Sequence, residues 1–183
     1  MVKLILLGEP RSEKLERFLT ETLSRHFSLT ACTGPRAFSA GSGRPLLLLS
    51  PPELSAADLG GGLFLARNGS RLPQNLRLPA DAVVIVSSEE EEQLRQLARL
   101  RVQTVTCGLS CKDTVTFSSK SEESAVISLM RAVRGLSGEA MEPMDLPVAF
   151  PRQTGDYPLL ACAAVLLLAG TFPDGSPAKY FQL

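Results

Sequence analysis

Three short stretches carry side chains whose types and spacing could do chemistry. The first is Gly8-Glu9-Pro10-Arg11-Ser12-Glu13-Lys14-Leu15. A phosphate-binding loop reads G-x-x-x-x-G-K-[ST] between a strand and a helix. Its backbone N–H groups cradle the phosphates, its lysine reaches the outer ones and its hydroxyl holds magnesium. Gly8 and Lys14 stand at that spacing, but Glu13 takes the place of the second glycine and Leu15 that of the hydroxyl. A carboxylate there repels phosphate, and leucine cannot ligate a metal, so a working ATP loop is not expected. Gly8, Arg11, Ser12 and Lys14 beside a helix N-terminus still suit a smaller anion. Otherwise the stretch is an ordinary strand-to-helix connection.

The second stretch, Cys107-Gly108-Leu109-Ser110-Cys111, sets two thiols four positions apart. Zinc and iron–sulfur sites need four ligands, and the remaining candidates are Cys32, Cys162 and His26. Cys162 lies in an apolar run and reads as core. A redox pair is usually spaced C-x-x-C, not C-x-x-x-C. Four reduced thiols, no metal and no cofactor are expected. The third stretch, Lys112-Asp113-Thr114, is polar and leads to Ser118-Ser119-Lys120. With Gly108 it makes a second candidate ligand loop, or else a turn entering a strand. His26, the one histidine, reads as a helix-end residue. With no nucleophile elbow, no Ser/His/Asp arrangement can be assembled. These residues point away from an enzyme.

Composition narrows the classes further. At 183 residues, with 44% hydrophobic and 21% charged side chains, the chain suits one α/β domain over 1–183 and excludes wholesale disorder. Nineteen basic residues balance nineteen acidic ones, so no net field draws it to nucleic acid or anionic lipid. Tryptophan is absent and aromatics are 5%, which leaves little surface for stacking single-stranded bases. The apolar run at the N-terminus is too short for a signal peptide. Leu159 to Ala169 is far short of the ~20 residues that span a bilayer. A cytoplasmic location is expected, where thiols stay reduced, and Asn68-Gly69-Ser70 is then only a turn.

Alternating strand and helix signals must position these loops. Continuous apolar runs predict buried strands near 2–7, 45–50 and 82–87, with further strands at 29–33 and 102–107. A helix is expected from about Ser12 to Phe27, with Leu15, Phe18, Leu19 and Leu23 at helical spacing. Gly34-Pro35 is read as breaking a strand, and 34–44 as a loop. Residues 51–79 give no clear pattern beyond a short strand at Leu63–Ala66. Ser88 and Glu91 form a capping box for a second helix, whose buried stripe is Leu94, Leu97 and Ala98. The glutamates 89–92 match its dipole as a solvated face. Thr114 to Ser118 alternates as an exposed or edge strand would, and strands at 125–133 and 144–150 follow. Asp156 caps a buried helix from Tyr157 to Ala169 that Gly170 ends. Residues 171–183 are expected to dock loosely. The fold is thus a three-layer α/β arrangement: a mostly parallel central sheet, helices on both faces and a small antiparallel extension.

One span carries a family resemblance. Val83-Val84-Ile85-Val86-Ser87-Ser88-Glu89-Glu90, the helix to Leu100, and Thr104-Val105-Thr106-Cys107-Gly108-Leu109 resemble the late half of the Mur ligase central domain. The alanine-rich run from Leu159 to Gly170 is similar to that domain's last helix, so the resemblance is clearest over 82–170. The pattern from Thr106 to Ser119 is also similar to that of short proteins of anaerobic Firmicutes, which implies a bacterial source. The departures bear on activity. Ser87 stands where the family has asparagine, Glu89-Glu90 replace aspartates, and Asp156-Tyr157 stand where a His-Asn pair precedes the last helix. The resemblance therefore implies a non-catalytic relative of the ATP-binding domain, acting through a protein partner or self-association. The alternative is a small anion- or nucleotide-binding domain, or an enzyme, using the loops at 8–14 and 107–114.

Overall fold

A computed structural model describes residues 1–10, 13–171 and 181–183. The chain runs β1 (Val2–Leu7), α1 (Glu13–His26), β2 (Phe27–Thr33), β3 (Arg36–Ala40), β4 (Arg44–Ser50), β5 (Gly62–Ala66) and β6 (Ala82–Ser87). It continues through α2 (Glu91–Leu100), β7 (Gln103–Cys107), β8 (Val115–Lys120), β9 (Ser124–Leu129) and the pair β10 (Val133–Arg134) and β11 (Ala140–Met141). It ends with β12 (Met144–Ala149), α3 (Asp156–Leu168) and β13 (Phe181–Gln182). One 11-stranded sheet has the order β13-β12-β9-β8-β7-β6-β5-β1-β4-β2-β3, and β10 and β11 form a separate ribbon. From β8 to β2 neighbouring strands are parallel; β3 at one side and β9 at the other are antiparallel to their inner neighbours.

The apolar runs explain the three layers. Within β1, Leu4 and Leu6 join a large core with α1 and α3, while Ile5 and Leu7 join a second core with α2 and residues from 54 to 78. A strand covered on both faces has no solvent side, so its sequence shows no alternation. α3 is buried along its whole length from Leu159. Gly170 ends it at φ +68°; its N–H reaches Leu167 O at 2.8 Å, and Thr171 N–H reaches Leu166 O at 3.0 Å. That left-handed step suits glycine.

Several local expectations are corrected. Gly34-Pro35 ends β2 as expected, but 34–44 is not a loop throughout: the pair turns a hairpin into β3, in regular register with β2 from Leu29–Ala40 to Thr33–Arg36. A glycine at φ +54° followed by proline has the shape of a tight hairpin turn. β8 is not an edge strand but lies between β7 and β9, with Val115 and Thr116 buried. Only its far half, Ser118–Lys120, is exposed. The N-cap of α2 is Glu90, not Ser88, because the chain first turns through Glu90 N–H to Ser87 O at 3.2 Å. Gln93 and Leu97 are buried on α2, whereas Ala98 is exposed. Gly155, not Asp156, is the N-cap of α3, and Asp156 pairs instead with Lys120. Within the C-terminal segment, 172–180 lie outside the described residues. Phe181–Gln182 pairs with Val148–Ala149, and Leu183 is buried.

Candidate functional site

Ligands in open α/β sheets bind at the carboxyl ends of strands, where the strand order switches direction. Here the switch lies at β1. The chain leaves β1 to build β2, β3 and β4 on one side, then β5, β6 and β7 on the other. The crevice is bounded by Gly8 after β1, Ser50 at the end of β4 and residues 67–70 after β5.

That crevice is filled from within. Arg67, which follows the buried strand Gly62–Ala66, is itself only 3% exposed. Its Nη2 donates to Glu16 Oε1 at 2.7 Å and to Ser50 Oγ at 2.6 Å, and its Nη1 donates to the carbonyl oxygen of Gly8. Ser50 Oγ donates to Glu16 Oε1 at 2.6 Å. Glu16 is in the first turn of α1, so a carboxylate of the chain's own already neutralises Arg67. Gly8 adopts φ +87°, and a Cβ there would lie 2.1 Å from Ser70 Oγ. No added side chain fits.

The loop 67–70 is pinned from the other elements too. Gln93 Nε2 on α2 donates to Arg67 O at 2.9 Å and Ser70 O at 2.7 Å. Glu90 Oε1 accepts from Gly69 N–H at 2.6 Å. The buried Tyr157 hydroxyl on α3 donates to Ala66 O, and burial pushes its pKa well above the usual phenol range. Residues 67–70 are thus bonded from α1, from β4, from α2 with its N-cap and from the loop after β1, while α3 holds Ala66 just before them.

The expected site residues that the structure describes lie at two loops of the sheet. Gly8 borders the crevice, and Arg11 and Ser12 lie outside the described residues. Glu13 and Lys14 are exposed on the first turn of α1. Leu15 is half-buried and packs against the large core, so its position serves packing. On the second loop the Asp113 carboxylate is buried and accepts from Ser110 N–H at 3.0 Å. Thr114 N–H reaches Thr106 O at 3.0 Å. Lys112 is exposed, and its carbonyl accepts from Arg131. A Cβ on Gly108 would meet Ser88 Oγ at 2.1 Å and Asp113 Oδ2 at 2.5 Å. Asp113 and Thr114 thus hold a turn.

The two loops line different clefts. One of about 450 Å³ is bordered by Gly8, Glu9, Glu53 and Arg71. Another of about 280 Å³ is bordered by Asn68, Ser87, Gly108 and Tyr157. Strands β5 and β6 separate the loops, three strand spacings or roughly 14 Å.

Arg67, Glu16, Ser50 and Gln93 were not singled out by the sequence. The available signal was an arginine placed directly after an apolar strand, but nothing local marks its partners 51 and 17 residues away. The thiols divide by burial. Cys107 is raised well above the usual thiol range by burial and by the Asp113 charge. Burial pushes Cys162 up to about 12, with the Thr22 hydroxyl pulling the other way. Cys32 and Cys111 are exposed. Among the described residues no three His, Cys, Asp or Glu side chains stand close enough to hold a metal ion, and no helix is long and apolar enough to cross a membrane.

No family model matches the sequence, and no curated protein matches it. Solved structures do resemble the fold. MurF from Acinetobacter baumannii is 12% identical with a TM-score of 0.52, the match covering 93% of this chain and 43% of that one. The UDP-N-acetylmuramoylalanyl-D-glutamyl-2,6-diaminopimelate–D-alanyl-D-alanyl ligase of the same organism is 13% identical with a TM-score of 0.53, over 93% and 43% of the two chains. MurF ligase from Thermotoga maritima in complex with ADP is 11% identical with a TM-score of 0.50, over 93% and 45%. The fold is Mur ligase-like, and the chain spans less than half the length of these ligases.

Proposed function

We propose that this chain is a non-catalytic relative of the Mur ligase ATP-binding domain, acting in the cytoplasm through a protein partner or a second copy of itself. The observation that carries the reading is the Arg67–Glu16–Ser50 network in the switch-point crevice. A phosphate at Arg67 would have to compete with Glu16, which already holds the guanidinium at 2.7 Å. Glu13 and Leu15 withhold the backbone approach and the metal ligand that such a loop supplies. The well-filled cores on both sheet faces favour a maintained fold whose surface does the work.

A thermal-shift panel of magnesium nucleotides, inorganic phosphate and cell-wall precursors tests this. A ligand at ~100 times its dissociation constant adds ~2.7 kcal/mol of stability. The reading expects no shift with any member of the panel. A reproducible rise with a nucleotide or phosphate would instead support the alternative, a ligand-binding domain built on the loops at 8–14 and 107–114.

A further inference from the structure

The two edges of the 11-stranded sheet are finished differently. At one edge β13 is only two residues long and covers β12, which carries Pro147. Its chain end is tied down by Arg25 Nη1 to Leu183 O at 3.3 Å, and His26 stacks on Phe181 at 4.4 Å between ring centroids. A short strand, a proline and a tethered end are the usual means of closing an edge to further pairing. The other edge has none of them. All five residues of β3 are exposed, its register against β2 is regular, and it has neither proline nor lysine. Among the described residues nothing pairs with its outer side.

The open backbone groups can be assigned. The two-residue turn Gly34-Pro35 closes on the Thr33–Arg36 pair, which makes that pair hydrogen-bonded. Alternation then directs the N–H and C=O of Ala37 and Ser39 away from β2. We infer that this edge pairs antiparallel with the same strand of a second copy, centred on Phe38, to give a two-fold dimer with a continuous sheet. In that register Ala37 faces Ser39 of the second copy, and the four outward groups of each copy are all paired, in four hydrogen bonds. Phe38, 39% exposed, meets its own counterpart. Arg36 faces Ala40 of the second copy, next to Gly41, whose Cβ position lies 2.0 Å from Ser24 O and 2.3 Å from Phe27 O. Ser24 is in the last turn of α1 and Phe27 follows it, so these carbonyls sit at the helix's C-terminal end, which also carries Arg25 and His26. Within the two paired strands no like charges oppose one another. This self-complementarity selects a second copy over an unrelated strand, and the inference rests on the reading that the chain works by association.

Sedimentation velocity over a concentration series, on the full chain and two variants, tests it. Ala37→Pro removes one outward N–H and leaves the β2 pairing intact, as proline is accepted on an edge strand facing solvent. Phe38→Lys places like charges at the two-fold axis. The wild type should dimerise, and each variant should weaken the dimer at least about tenfold, ~1.4 kcal/mol, with an unchanged circular-dichroism spectrum. A wild type that stays monomeric throughout would overturn the inference, as would variants that dimerise as the wild type does. Titrating magnesium nucleotide into the same samples separates the two readings. Monomer without nucleotide binding removes only this edge pairing, whereas nucleotide binding removes the reading beneath it.

Discussion

The loop after β5 and the turn after β7 leave the same edge of the same sheet, two strands apart. Both contain one buried charged residue, Arg67 in the first and Asp113 in the second. Their bonds reach very different distances. Arg67 bonds Glu16 and Ser50, 51 and 17 residues away, whereas Asp113 bonds Ser110, three residues away. The first is a tertiary lock that closes a crevice, and the second is a local turn. Polar residues at a strand's carboxyl end are thus no evidence of a ligand site until their partners are known.

Removing half of the lock should have the largest effect. Glu16→Leu leaves Arg67 buried without a counter-charge and should lower unfolding stability by ~3–5 kcal/mol in urea titration. The double change Glu16→Leu with Arg67→Leu should recover most of that loss, since two apolar groups need no partner. Additive losses in the double variant would mean that the two side chains are not paired. Gly8→Ala comes next. It places a side chain at positive φ and against Ser70, and a loss of ~1–3 kcal/mol is expected in the same titration.

The local turn should yield less. Asp113→Ala removes one bond to an exposed backbone N–H and should cost ~1 kcal/mol. A loss as large as that of Glu16→Leu would erase the contrast between the regions. Thiol chemistry sharpens it without changing stability. At pH 8 a thiol-specific disulfide reagent should modify Cys32 and Cys111 in the folded protein and reach Cys107 and Cys162 only after unfolding, because the thiolate is the reactive form. The alkaline limb follows in sign. Unfolded Cys162 ionises near 9.0 while the folded thiol holds its proton to about 12. The folded state binds more protons between those values, so stability is full below 9 and falls as pH rises through the window. Cys162→Ala should flatten that slope.

Much of the scaffold could be read from residue order. Apolar runs at 2–7, 45–50 and 82–87 marked strands buried on both faces because such runs have no solvent side, and the run after Asp156 marked a helix buried all round. Arg36–Ala40 escaped notice because an exposed edge strand carries neither an apolar run nor a strict alternation. The crevice escaped for a different reason. Gly8 was found, since one glycine can carry a motif by itself. Arg67, Glu16 and Ser50 have meaning only once β1, β4 and β5 are adjacent, and that adjacency is a property of strand order, not of spacing. Asp113 and Thr114 were noticed for their polarity, which the turn itself consumes.

Isothermal titration calorimetry with magnesium ATP, on wild type and Lys14→Ala, tests most directly whether the crevice is closed to nucleotide. With Glu16 held on Arg67 and Leu15 in place of a metal-binding hydroxyl, no binding tighter than roughly millimolar, about −4.1 kcal/mol, is expected, and the two proteins should give the same flat trace. Micromolar affinity in the wild type, lost in Lys14→Ala, would contradict the account and show that the loop after β1 still holds phosphate.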